Sequence, residues 1–153
     1  MASERRERVS FDRYSTIHHS TLREFEHFVE ENAVSILTNT DEVLVEGRLY
    51  CAGSVYLDVV IVLGMDRRRY LDVLRYTFHA GIAKAEDRPI FRYDDAHVYT
   101  REGHSDSHHK HRFDVMTGIE IVPPEWIGAA NQPTLRSVLT ELERWWFEIG
   151  KSL

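Results

Sequence analysis

The sequence predicts an α+β fold: a single antiparallel sheet packed by an N-terminal and a long C-terminal helix. Three observations carry this. Apolar residues recur at helical spacing near both ends of the chain. Between them lie segments rich in β-branched and aromatic residues that alternate by two. Those segments follow one another without the helical interludes of a parallel sheet. A length of 153 residues fits one domain, 1–153, that buries its core without disulfides. Residues 1 to 8, "MASERRER", read as a disordered polar tail.

The first element is expected in "STLREFEHFVEEN", where Leu22, Phe25, Phe28 and Val29 are spaced for a helix. Ser20 or Thr21 is available as its N-cap and Asn32 as its stop. "AVSIL" then either prolongs the helix or opens a strand. "EVLVEGRLYCAG" and "SVYLDVVIVLG" make a hairpin turning at Gly53-Ser54. In "YLDVLRYTFHAGIAKAE" a strand is favoured over the second half, because Tyr76, Thr77 and Phe78 prefer sheets. "IFRYDDAHVY" follows as a strand, and "HHKHRFDVMTGIEIV" as another that ends at Pro123-Pro124. The final helix sets Leu135, Val138, Leu139, Leu142, Trp145, Trp146 and Ile149 on one stripe, with Pro133 in its first turn and Gly150 as its stop.

The net charge of −6 argues against sequence-independent binding of nucleic acid over a wide surface. Between residues 79 and 112, however, six lysines and arginines balance six acids, and six of the nine histidines fall there. Partial protonation of those imidazoles would turn that one region positive. A single cysteine, Cys51, excludes an intramolecular disulfide and points to a reducing, cytoplasmic setting. The longest apolar run, Val59 to Leu63, is strand-sized, so no membrane span is expected.

Chemistry is expected where "FRYDDAHVY" and "DSHHKHRFD" concentrate imidazoles, carboxylates and fixed cations. Strand alternation turns Arg92 and Asp94 one way, and Phe91, Tyr93 and Asp95 the other. It likewise puts His109 and His111 on one face, with His108, Lys110 and Arg112 on the opposite one. A neighbouring strand holding His79 would bring three segments to one surface. Metal-free RNA cleavage needs a base for the 2'-hydroxyl proton, an acid for the departing 5'-oxygen and a cation for the phosphorane. His79, Asp94, His108, His109 and His111 can exchange protons, Arg92 or Lys110 can supply the charge, and Tyr93, His97 and Tyr99 are candidates to hold the substrate. Tyr93 and Tyr99 could stack on unpaired bases.

Plainer readings stand beside this one. "HHKH" could be a solvated turn, Asp94-Asp95 a pair of backbone caps, and Arg92 a structural partner of Asp94. His18, His19 and His27 read as surface residues, and Cys51 as an inert buried thiol. The sharpest chemical rival is a zinc or manganese site built from His109, His111, His97 and Asp95. No HExxH, paired CxxC or 2-His-1-carboxylate spacing is recognisable, so no metal or other cofactor is expected.

"RYTFH", with Tyr76, Phe78 and His79, then "FRYDDAHVY", then "HHKH" stand in an order that resembles the TumE-like toxin family of toxin-antitoxin modules. The resemblance spans roughly residues 43 to 115. It implies a small toxin presumed to act on RNA and neutralised by a helix-turn-helix-type antitoxin. The residues themselves add a metal-independent endoribonuclease as the expected activity, with RNA as substrate and a homodimer as a further assembly. The alternatives are a binding module without catalysis and a metal-dependent nuclease with His and Asp ligands.

Overall fold

The computed structural model describes residues 8–84, 86–95 and 108–153. In chain order the elements are β1 (Val9–Ser10), α1 (Phe11–Glu24), β2 (Val29–Thr38), β3 (Glu42–Cys51), β4 (Val55–Met65), β5 (Tyr70–Ala83), β6 (Asp87–Asp94), β7 (His109–Phe113), β8 (Glu120–Trp126) and α2 (Leu135–Glu148). The strands form one antiparallel sheet in the order β2-β3-β4-β5-β6-β7-β8, and the short β1 pairs with β5. This is the expected α+β architecture. No helix among the described residues is long and apolar enough to cross a membrane.

The core lies between one sheet face and the two helices. Val43, Val45 and Leu49 of β3, Leu57 and Val59 of β4 and Phe78 and Ala80 of β5 alternate onto that face, and all are buried. Val138, Leu139 and Leu142 of α2 cover them. Phe11, Tyr14 and Leu22 from α1 pack against the same core. α2 begins at Thr134, whose hydroxyl accepts from the Ser137 backbone N–H while the Ser137 hydroxyl accepts from that of Thr134, a reciprocal cap. Pro133 therefore precedes the cap instead of occupying the first turn. Ile149 lies beyond the helix and is exposed, so the apolar stripe ends at Trp146.

The first helix departs most from expectation. Its cap lies ten residues before Ser20, at Ser10, whose hydroxyl accepts from the Arg13 backbone N–H at 3.2 Å. Its inward stripe includes His18 and Thr21, which conceal its apolar period. Phe25 and Phe28 belong to the turn that follows, and Val29 opens a strand rather than continuing a helix. Residues 1–7 of the expected tail lie outside the described residues; Arg8 is held by Asp66 and Asp72. "HHKHRFDVMTGIEIV" is likewise two strands, not one. The Asp114 carboxylate accepts from the backbone N–H groups of Met116 and Thr117, and Gly118 takes φ +73° to close the hairpin. Pro123 and Pro124 do not end β8. They sit inside it, in the strand that ends the sheet order among the described residues, a position that tolerates proline.

The hairpin at Gly53-Ser54 forms as expected, and α2 leans on it. Gly53 has φ +65°, and a Cβ there would stand 1.9 Å from the Trp146 ring. Gly53→Ala should therefore lower the urea midpoint by the equivalent of ~1–3 kcal/mol, as overpacking with backbone strain does.

His18, read from sequence as a surface residue, is only 5% exposed and lines a cavity of about 560 Å³ between α1, β5 and the start of α2. Burial, reinforced by neighbouring His19, pulls its pKa below the ordinary value. The unfolded chain thus takes up a proton near the ordinary histidine value while the native chain resists it. Stability contributed by neutral His18 is present at neutral pH and declines as pH falls below about 6.5. His18→Phe should flatten the drop in urea midpoint between about pH 7.5 and about pH 5.5.

Candidate active site

The helix-free face of the sheet carries a row of polar residues in cross-strand register. Arg48 of β3 pairs with Asp58 of β4, Asp58 with His79 of β5, His79 with Arg92 of β6, and Arg92 with His111 of β7. One register step along, Asp94 stands opposite His109. The period-2 alternation that sends Phe91 and Tyr93 into the core necessarily turns Arg92 and Asp94 onto this surface. The alternation read from sequence for β6 and β7 holds.

Four of the expected residues meet here. His109 Nε2 lies 3.0 Å from His111 Nε2, with the rings nearly perpendicular at 75°. Asp94 Oδ1 is 3.2 Å from His109 Nε2, and Asp94 Oδ2 is 3.8 Å from His111 Nε2. Arg92 Nε sits 3.0 Å from Asp94 Oδ2, so its plainer role as partner to that carboxylate is real. The cluster is deeply placed: His109 is 0% exposed, Asp94 3% and His111 8%. Arg92 is the member that reaches outward, its side chain 35% exposed. His79 neighbours Arg92. Its pKa is drawn down chiefly by burial, with Arg92 acting in the same direction and Asp58 against it.

Three other expected residues point elsewhere. Lys110 alternates onto the helix face, where it bonds to Glu141 of α2. The Tyr93 hydroxyl donates to the same carboxylate at 2.6 Å, and burial raises its pKa ahead of that bond. His108 precedes β7 and stacks on Tyr76, with its Nδ1 2.9 Å from the Tyr76 hydroxyl. His97 and Tyr99 lie outside the described residues. Asp95 leaves the cluster altogether, its carboxylate accepting from the Tyr76 backbone N–H at 2.8 Å, as the capping reading expects. The Cys51 thiol is buried, and burial with the charge of Glu30 pushes it up to about 12, which suits the inert reading.

Sequence reasoning missed Glu120, which bonds to His111 Nδ1 from β8. Its approach follows from register: Glu120 pairs with Phe113, two residues along β7 from His111 and on the same face. Lys110 pairs with Glu125 and Arg112 with Ile121, so three residues, Val122 to Pro124, bulge past the single His111. The available signal was an acid just past the Asp114–Gly118 turn, in the phase of a hairpin partner to "HKHRF". Asp58 and Arg48 were also missed. Arg48 grips Asp58 through two bonds of 2.7 and 2.9 Å and lies 3.9 Å above the Tyr56 ring. Their signal is an arginine and an aspartate five residues to either side of Gly53.

The face therefore offers two imidazoles and a carboxylate in mutual contact, a guanidinium at their rim and further charges in line. Such a set can move protons, hold a cation or steady a phosphate. Comparison of the chain with protein families, curated proteins and solved structures found no match in any of the three.

Proposed function

We propose that the protein is an RNA-cleaving enzyme, the toxin of a toxin-antitoxin pair, whose chemistry resides in Asp94, His109, His111 and Arg92. The observation that carries this reading is the convergence of those four side chains, from two adjacent strands, in one buried cluster with a guanidinium at its edge. Arg92 takes the part of the cation that receives phosphate charge, because Lys110 serves the opposite face. The order of "RYTFH", "FRYDDAHVY" and "HHKH" supports the toxin assignment by its resemblance to the TumE-like toxins. A chain of net charge −6 also suits a basic, helix-turn-helix-type antitoxin as its partner.

Inducible expression tests the reading. The native chain should arrest growth with loss of RNA, and Arg92→Ala or His111→Ala should relieve the arrest while the protein remains folded. Equal growth of all three strains overturns it.

A further inference from the structure

We propose that Asp94, His109 and His111 bind one divalent transition-metal ion of the zinc class, with Glu120 and Arg92 orienting the ligands. This rests on the same cluster as the nuclease reading and concerns how that cluster works.

The donor geometry comes first. One ligand atom from each of the three residues lies within 4.8 Å of the other two. Ligand atoms bound to a common ion at about 2.0–2.1 Å stand roughly 3 Å apart at tetrahedral or octahedral angles. The two Nε2 atoms, at 3.0 Å, and Asp94 Oδ1, at 3.2 Å from His109 Nε2, stand near that spacing; the third side, 3.8 Å from His111 Nε2 to Asp94 Oδ2, closes by a small turn of the carboxylate. The alternating strand delivers this directly, since residues two apart project from the same side.

The same distance speaks against His109 and His111 as a base and acid pair. An acid and a base that cleave a phosphodiester must reach oxygens on opposite sides of the phosphorus. Two nitrogens facing each other at 3.0 Å, one on a fully buried ring, have no room for a phosphate between them.

The supporting contacts fit a metal site. Glu120 accepts from Nδ1 of His111, which places the proton there and turns Nε2 toward His109 and Asp94. Arg92 holds Oδ2 of Asp94, which leaves Oδ1 directed at His109. Two imidazoles and one carboxylate select zinc, manganese, iron(II) or cobalt over magnesium and calcium, which prefer all-oxygen shells. Three protein donors fall short of the four that zinc takes. Water or a substrate phosphate completes the set.

The test uses full-length protein dialysed against chelator and titrated with Zn²⁺ by calorimetry and with Co²⁺ by visible absorption. Native protein should bind one ion per chain and His111→Ala should bind none. Glu120→Gln should bind ~10- to 100-fold more weakly with an altered Co²⁺ spectrum. Glu120 is about a third exposed, so its variant tests the site even where His111→Ala fails to fold. Absence of stoichiometric binding to the native chain overturns the proposal, as does unchanged affinity in both variants. The two readings separate cleanly. Stripped protein that cleaves RNA and takes up no ion removes the metal and keeps the nuclease. Protein that binds the ion and spares RNA does the reverse.

Discussion

An Asp94→Asn chain should fold, yet cleave RNA at least ~100-fold more slowly than the native chain, the minimum loss when a positioned ionisable group leaves a reaction centre. The substitution keeps shape and removes one negative charge. That charge sits 3.0 Å from Arg92 Nε and 3.2 Å from His109 Nε2, so its loss disturbs the cluster from both sides. The guanidinium left behind is a third exposed, and water can solvate it, so the cost in stability should be well below that of stranding a buried charge. Initial rates on a labelled RNA, with the urea midpoint measured alongside, check both halves. A rate equal to the native one would remove Asp94 from the chemistry.

Leu142→Ala should lower stability by ~2–5 kcal/mol, the range for emptying a buried leucine site. Leu142 is 0% exposed, in the part of α2 that covers the central strands, and Val138 and Leu139 beside it are equally enclosed. A domain of ordinary stability holds only ~5–15 kcal/mol in reserve, so this one change could consume much of it. Phe147, next to the same stripe but 54% exposed, should move stability by no more than ~0.5 kcal/mol when cut to alanine. Urea unfolding with unchanged slope but separated midpoints would confirm the contrast. Equal midpoints would mean that α2 does not anchor the core.

What could be read in the residues depended on how each element keeps its interior. The final helix and the β3–β4 hairpin bury continuous apolar positions at their proper period, and both were legible, as was the α+β class. α1 buries His18 and Thr21 in the stripe where leucines would announce a helix, so the visible apolar period starts only at Leu22 and runs on into Phe25 and Phe28, which lie in the turn beyond it. β7 and β8 were merged because the Asp114–Gly118 turn is short and β8 contains two prolines that normally punctuate a strand. At the candidate site, alternation correctly grouped His109 with His111 and Arg92 with Asp94. Register decided the rest. Glu120 reaches His111 only once β7 and β8 form a hairpin with Glu120 opposite Phe113, and no local pattern tells that Lys110 and Tyr93 share Glu141 from a helix thirty or more residues away.

The two flanks of the sheet among the described residues are unlike. The outer edge at β8 contains Pro123 and Pro124 in succession, so whichever phase an incoming strand adopts, it meets a position with no hydrogen to donate. The edge at β2 runs from Val29 to Thr38 with no proline. Strand addition at the β8 border is consequently disfavoured, whereas β2 carries no such guard in its sequence.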